Sequence, residues 1–353
     1  MPLSNPSRKR IVILASAFLA LAVLWFGGSY IWLHQKALMK LVQRSPLKST
    51  EFKVNVPGML YLSLVPGAGT APSGIYTYTL DSGTFGRILA DINWQLPMYY
   101  IYTSPSLSND GRSLVFVRRG KGELTPQVFI AAPDGSGARQ LTKNSSRLKR
   151  DPVMSPDSSD VAYEASNASG VAGAEIGGVP NDWSIFLTNM TGDEFRIASG
   201  TNPLFSPDGT HLLALESDGL HLFDISTGKT AKDTSAVLRL PNLSGYHWSR
   251  ASISSDGSRI AWAVPDARQV IVGRISWDPL MLSVEKVIPV TAYQALFSPD
   301  GTHMAIEEVR PSSGRVDNHI VISIYDTGSW QSADAINLTK YTNTYIRLGG
   351  WGE

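Results

Sequence analysis

Apolar and polar positions alternate along most of this chain in short runs, and clusters of Gly, Asp, Ser and Pro interrupt them. Runs of this kind, rich in Ile, Val, Phe and Tyr with a period of two, predict β-strands throughout. One unit recurs five times: PSLSNDGRSLVF from Pro105, PVMSPDSSDVAY from Pro152, PLFSPDGTHLLA from Pro203, ASISSDGSRIAW from Ala251 and ALFSPDGTHMAI from Ala295. Its Asp falls at 110, 157, 208, 256 and 300, giving steps of 47, 51, 48 and 44 residues. Steps of that length are those of propeller blades.

Each copy reads as a hairpin. A Ser stands before the turn in all five, at Ser108, Ser155, Ser206, Ser254 and Ser298. Pro156, Pro207 and Pro299 preset the backbone for the second position of a type I turn, Asp tolerates the third, and Gly supplies the positive φ that returns the chain to the next strand. Ser158 replaces that Gly in one copy, where modest strain is expected.

A second pattern, an apolar strand followed by a Gly-containing turn and another short strand, begins at Gly74, Gln127, Ser184, Leu220, Gln269 and Ile320. Six such halves against five hairpins leave one blade without its inner strand. Twelve residues separate Thr142 from Met154, and twelve separate Thr339 from Trp351, so residues 345–351 are expected to supply that strand to a first blade built from residues 59–91. Residues 52–56 are the alternative. The fold class predicted is all-β, a six-bladed β-propeller of four-stranded blades closed by the C-terminal strand, which removes the exposed edges an open stack of blades would present.

Residues 11–33 form a 23-residue run without a charge, long enough as a helix to cross about 30 Å of hydrocarbon. The expectation is an uncleaved transmembrane signal anchor rather than a cleaved leader, because apolar residues continue past the small-residue site at Ala20–Ala22. Residues 1–10 are then a cytoplasmic basic tail, residues 34–51 a helical extension and stalk, and residues 52–353 the propeller, outside the cytoplasmic membrane.

The chain has no cysteine, so it forms no disulfide. Without Arg8, Lys9 and Arg10 there remain 28 Lys and Arg against 30 Asp and Glu, a near-neutral balance that speaks against a nucleic-acid partner.

The segments PLFSPDGTHLLA and ALFSPDGTHMAI, with the following DISTG and YDTGS turns and the LT element, resemble the WD-like repeats of the TolB propeller family. The resemblance covers roughly residues 52–353. It implies a propeller that serves as a protein-binding platform in the cell envelope. TolB proper has an α/β domain ahead of its propeller and binds the lipoprotein Pal. An anchor and stalk occupy that place here, and no Pal-contacting residue carries over.

In a propeller the blade-to-blade connections share a face with the loops between the second and third strands. On that face Trp94, Tyr99, Tyr100, Tyr246 and Trp248 are candidate aromatic anchors for a protein or peptide partner, and Arg147, Lys149, Arg150 and Arg250 are candidate partners for its acidic groups. Packing between blades is the competing role for the aromatics. Ser104, Asp151, Asn202, Arg250 and Gln294 precede the inner strands and are expected to form a varied polar ring at one end of the channel. That ring suits a peptide, water or an ion. An enzyme or small-molecule sensor using the channel mouth is therefore the alternative.

No GxSxG elbow occurs, and of the ring only Asp151 and Asn202 have the oxygen ligands that calcium needs. No catalytic residue, metal site or cofactor is assigned. His211 and His303 stand at equivalent places past their turns and read as echoes of the repeat.

Overall fold

The structure, a computed structural model, describes residues 54–65, 74–90, 102–118, 125–144, 146–166, 183–216, 219–226, 232–238, 250–265, 267–310, 319–337 and 345–353. The expected anchor and stalk, residues 11–51, lie outside them. Among the described residues, twenty-four strands pair into six four-stranded antiparallel sheets. The first blade holds β1 (Met59–Val65), β2 (Gly74–Thr79) and β3 (Thr84–Ala90), and the second holds β4 (Tyr102–Leu107), β5 (Leu114–Arg118), β6 (Gln127–Ala131) and β7 (Arg139–Gln140). Blade 3 follows with β8 (Leu148–Met154), β9 (Asp160–Ser166), β10 (Ser184–Asn189) and β11 (Glu194–Ser199). Blade 4 comprises β12 (Thr201–Phe205), β13 (His211–Glu216), β14 (Gly219–Asp224) and β15 (Lys232–Leu238). Blade 5 comprises β16 (Ser252–Ile253), β17 (Arg259–Val264), β18 (Gln269–Trp277) and β19 (Leu280–Ile288), and blade 6 comprises β20 (Ala292–Phe297), β21 (His303–Arg310), β22 (His319–Asp326) and β23 (Ser332–Asn337).

The last strand, β24 (Tyr345–Gly352), completes the first blade by pairing antiparallel with β1, Trp351 opposite Leu60 and Leu348 opposite Leu62. This is the predicted closure. Val54, of the alternative segment, instead donates its N–H to the Leu80 carbonyl at 3.0 Å, beside the β2–β3 turn.

Burial follows from the twist and pairing of the sheets. The buried apolar residues fall into clusters, each formed between successive blades: Val161 and Tyr163 of blade 3 against Val115 and Val117 of blade 2, Ile260 and Trp262 of blade 5 against Leu213 and Leu222 of blade 4. The seam between blades 6 and 1 is packed in the same way, with Ile322 and Ile324 against Leu60 and Leu62. Middle strands touch a neighbouring sheet on both faces, so they read as continuous apolar runs rather than strict alternation.

The five hairpin turns share one hydrogen-bond pattern. The N–H of residue 111, 158, 209, 257 or 301 donates to the carbonyl of the Ser three positions earlier at 2.8 or 2.9 Å. Ser158 takes φ 61° where the other copies have Gly. The repeated Ser has a specific task. Its hydroxyl donates to the turn carboxylate at 2.5–2.7 Å and accepts the N–H five residues on at 2.9–3.0 Å. The same carboxylate accepts the N–H two residues past itself at 3.0–3.1 Å. Ser and Asp thereby satisfy turn donors that no sheet ladder reaches.

Candidate functional site

Trp94, Tyr99, Tyr100, Tyr246 and Trp248 lie outside the described residues, as do the loops at 66–73, 167–182 and 311–318. The polar candidates are placed. The inner strands begin earlier than the sequence suggests: Ser104 lies on β4, Asp151 on β8, Asn202 on β12 and Gln294 on β20, while Arg250 stands two residues before β16. Strand register shifts beside four of them, between Thr103 and Ser106, Arg150 and Val153, Thr201 and Leu204, and Ala292 and Gln294. Asp151 and Asn202 take φ 49° and 56° there, the left-handed region that Asp and Asn enter most readily among residues with a Cβ. Side-chain identity at these two positions is thus partly a backbone requirement.

Arg150, Asp151, Asn202, Arg250 and Gln294 are brought together across four blades. The organising group is Glu164 on β9, which the sequence reading did not single out and which is 1% exposed. Arg150 Nε donates to Glu164 Oε2 at 2.6 Å and stands 3.6 Å from Asp151 Oδ2. The other oxygen, Oε1, accepts the N–H of Asn202 on the next blade at 2.7 Å. Arg250 reaches further, its Nη2 donating to the Pro152 carbonyl at 2.9 Å and so joining blade 5 to blade 3. A parallel bridge links Arg250 to Gln294 of blade 6.

The remaining two cations face other surroundings. Lys149 is 2% exposed, and its ammonium donates to the Asn144 carbonyl. The Arg147 guanidinium lies 4.3 Å from the centroid of the Phe186 ring, and that of Arg150 lies 3.8 Å from the Trp183 ring, both close enough for cation–π attraction.

Electrostatics at this end are set by burial. Loss of water pushes the Glu164 carboxyl above the ordinary glutamate value; the Arg150 guanidinium opposes the shift and the Asp151 charge adds to it. Burial pulls Arg250 below the usual guanidinium value, opposed by the Asp151 and Glu164 carboxylates.

An equivalent carboxylate stands on the opposite side of the ring. Glu307, on β21, is fully buried, accepts the N–H of Leu348 at 3.0 Å and pairs with Arg347 Nη1 at 3.0 Å, both on β24. Its carboxyl is likewise raised, first by burial and then against the pull of Arg347. Glu164 and Glu307 each fall seven residues past a turn Asp, where the other copies carry Val117, Leu215 and Ala263. That shared offset was the signal available in the sequence.

Towards the hairpin turns the channel widens into a cavity of about 530 Å³. All six blades line it, and Arg250 is the residue on its wall furthest from the turns. His211 and His303 repeat each other in detail, each ring Nδ1 lying 2.8 Å from the preceding Thr hydroxyl. Among the described residues no group of three or more His, Asp or Glu is arranged to hold a metal ion.

No known family's sequence profile matches the chain. No curated protein sequence matches it either. Solved structures do match in shape. TolB from Acinetobacter baumannii superposes with a TM-score of 0.53 at 14% identity, covering 84% of this chain and 66% of that one. The chain thus spans slightly less than two thirds of that TolB. A chain of the nidogen/laminin complex gives a TM-score of 0.51 at 10% identity, covering 84% of this chain and 97% of that one. A TolB candidate from Agrobacterium tumefaciens gives 0.46 at 12% identity, over 83% of this chain and 99% of that one. At these identities the likeness is one of fold, and in fold the chain is a TolB-like six-bladed propeller.

Proposed function

We propose that this chain is a binding scaffold, anchored in the cytoplasmic membrane through residues 11–33, that presents its propeller outside the cytoplasm to a protein or peptide partner in the cell envelope. The observation that carries this reading is the cross-blade network of Arg150, Asp151, Asn202, Arg250 and Gln294 at the blade-connecting end of the channel. Left-handed Asp151 and Asn202, and guanidiniums held by neighbouring groups, fix the backbone and the charges at this end before a partner arrives, which lowers the entropy cost of association. The likeness to TolB and to a chain of the nidogen/laminin complex supports a binding role, the latter because it is an assembly of proteins. In this reading the chain is not an enzyme.

Capture of the full-length protein from envelope membranes tests the reading. One defined protein should be retained by the wild type and lost when Trp94 and Trp248 are both changed to Ala, with an unchanged melting curve. Retention of no partner, or equal retention by the double variant, overturns it. Orientation is checked separately: a C-terminal tag should be cut by protease added to spheroplasts.

A further inference from the structure

Among the described residues, the exposed large apolar side chains, Met281, Val284 and Val287, all belong to one strand, β19. It is nine residues long and forms the outer edge of blade 5, and among the described residues no strand pairs with its free side. Unpaired N–H and C=O groups beside apolar side chains make such an edge a template for another strand.

The centre of β19 is a bulge. Against β18, Val284 stands opposite Gly273, Lys286 opposite Val272 and Val287 opposite Ile271, so Glu285 is the extra residue. Gly273 and Ile271 lie on one face of the sheet, and Val284 and Val287 therefore share it, where an unbroken strand would set them on opposite faces. The charges take the other face. Lys286 lies there opposite Val272, and Glu285 Oε2 reaches Arg274, two residues along β18 on the same side, at 3.3 Å.

The run Val284, Glu285, Lys286, Val287 is thereby its own complement. Laid antiparallel on a second copy about a two-fold axis between Glu285 and Lys286, each Val284 faces the partner's Val287 on one side of the sheet, and each Glu285 faces the partner's Lys286 on the reverse. A lysine on an edge ordinarily repels an incoming strand, but here the same run supplies its counter-charge. Self-matching of this kind favours a second copy over an unrelated strand.

We infer that two copies of this chain pair edge to edge through β19, Val284 against the partner's Val287 and Glu285 against the partner's Lys286, which joins two fifth blades into one continuous sheet. Only residues 283–288 of each copy overlap in this register, fewer than the roughly 20–30 residues a side of a standard interface, so the association is reversible and depends on concentration. It uses the rim of the disc and leaves the partner-binding end free.

The chain has no cysteine, so cross-linking reads the register directly. Purified full-length Val284→Cys and Val287→Cys chains, mixed and mildly oxidised, should form a disulfide-linked dimer. Either variant alone should form almost none, because like positions lie about 10 Å apart along the paired strands, beyond the reach of a disulfide. Glu285→Lys added to both chains, or Lys286→Glu to both, sets like charges opposite each other and should cut the yield about fivefold. Glu285→Lys in one chain with Lys286→Glu in the other should restore it. Association through residues 11–33 alone predicts none of these differences. No cross-link in the mixture leaves the edge to a strand of another protein and overturns the inference, as do equal cross-linking by a single variant and a yield indifferent to charge in variants with wild-type melting curves. Should a charge variant not fold, the comparison of the cysteine mixture with its single variants decides alone.

Discussion

Glu164 and Glu307 occupy the same step of blades three apart, and each accepts a backbone N–H of the inner strand that follows, from Asn202 at 2.7 Å and from Leu348 at 3.0 Å. Each also holds an arginine, Arg150 or Arg347. They act as side-chain ties across two seams on opposite sides of the ring, and the Glu307 tie fastens the strand that closes it. Removing one member of a buried ion pair leaves the other uncompensated, which costs about 3–5 kcal/mol. Glu307→Ala is therefore expected to lower stability by about 3–5 kcal/mol in urea titration, with Glu164→Ala close to it.

Acidity acts on the two carboxylate classes in opposite directions. Asp256 is held down to about 2, chiefly by the Ser254 hydroxyl, and Asp110, Asp157 and Asp208 are lowered chiefly by their own turn serines. A carboxylate lowered in the folded state stabilises above its unfolded value, and that stabilisation is lost as pH falls through the folded value. Melting temperature should thus drop from about pH 4 towards about pH 2, less steeply in Asp256→Asn.

Glu164 and Glu307 are raised, so the folded chain holds their protons more tightly than the unfolded chain does. Their contribution is complete below the unfolded value and declines as pH rises through the folded one. Glu164→Gln should flatten the loss of stability that sets in as pH rises above the ordinary glutamate value, in thermal melts across a buffer series.

The turn glycines make a graded test. Gly111 and Gly257 share φ 68°, but a Cβ on Gly111 meets no atom within 4 Å, whereas one on Gly257 falls 1.8 Å from Cγ of Pro207 on the preceding blade. Gly111→Ala should cost about 1–2 kcal/mol, the left-handed penalty alone. Gly257→Ala should cost clearly more, since two turns must separate. Equal melting temperatures in the two variants count against this packing.

Strand β19 is the outermost strand of blade 5, and Met281, Val284 and Val287 on it are exposed at 57, 58 and 43%. An open edge with apolar side chains invites pairing between chains. Val284→Lys is expected to leave stability within about 0.5 kcal/mol of wild type and to slow aggregation in light scattering.

Blade number, blade boundaries and ring closure were legible because hairpin geometry demands particular residues at particular offsets, and the chain repeats them. Pro156, Pro207 and Pro299 mark three of the turns, and the matched spacing from Thr142 and Thr339 located β24. The polar site was legible only as a set of positions. Asp151, Asn202, Arg250 and Gln294 were expected together in a ring with Ser104, and Arg150 only as a separate basic candidate, yet the carboxylate that organises the site was hidden in the apolar run DVAYEAS. A buried Glu is tolerated there because the next blade supplies a backbone donor, a contact across the seam that no local pattern records. The repeated Ser was visible without its reason, since its bond to the turn Asp is a matter of geometry rather than of spacing.

Every apolar cluster in this disc is shared by two sheets, as Ile260 with Leu213 and Ile322 with Leu60 show. A blade excised from its ring would therefore own two half-cores and no whole one. Such a molecule gains or loses material most safely in complete sectors, and damage to one interface is felt by both neighbours at once.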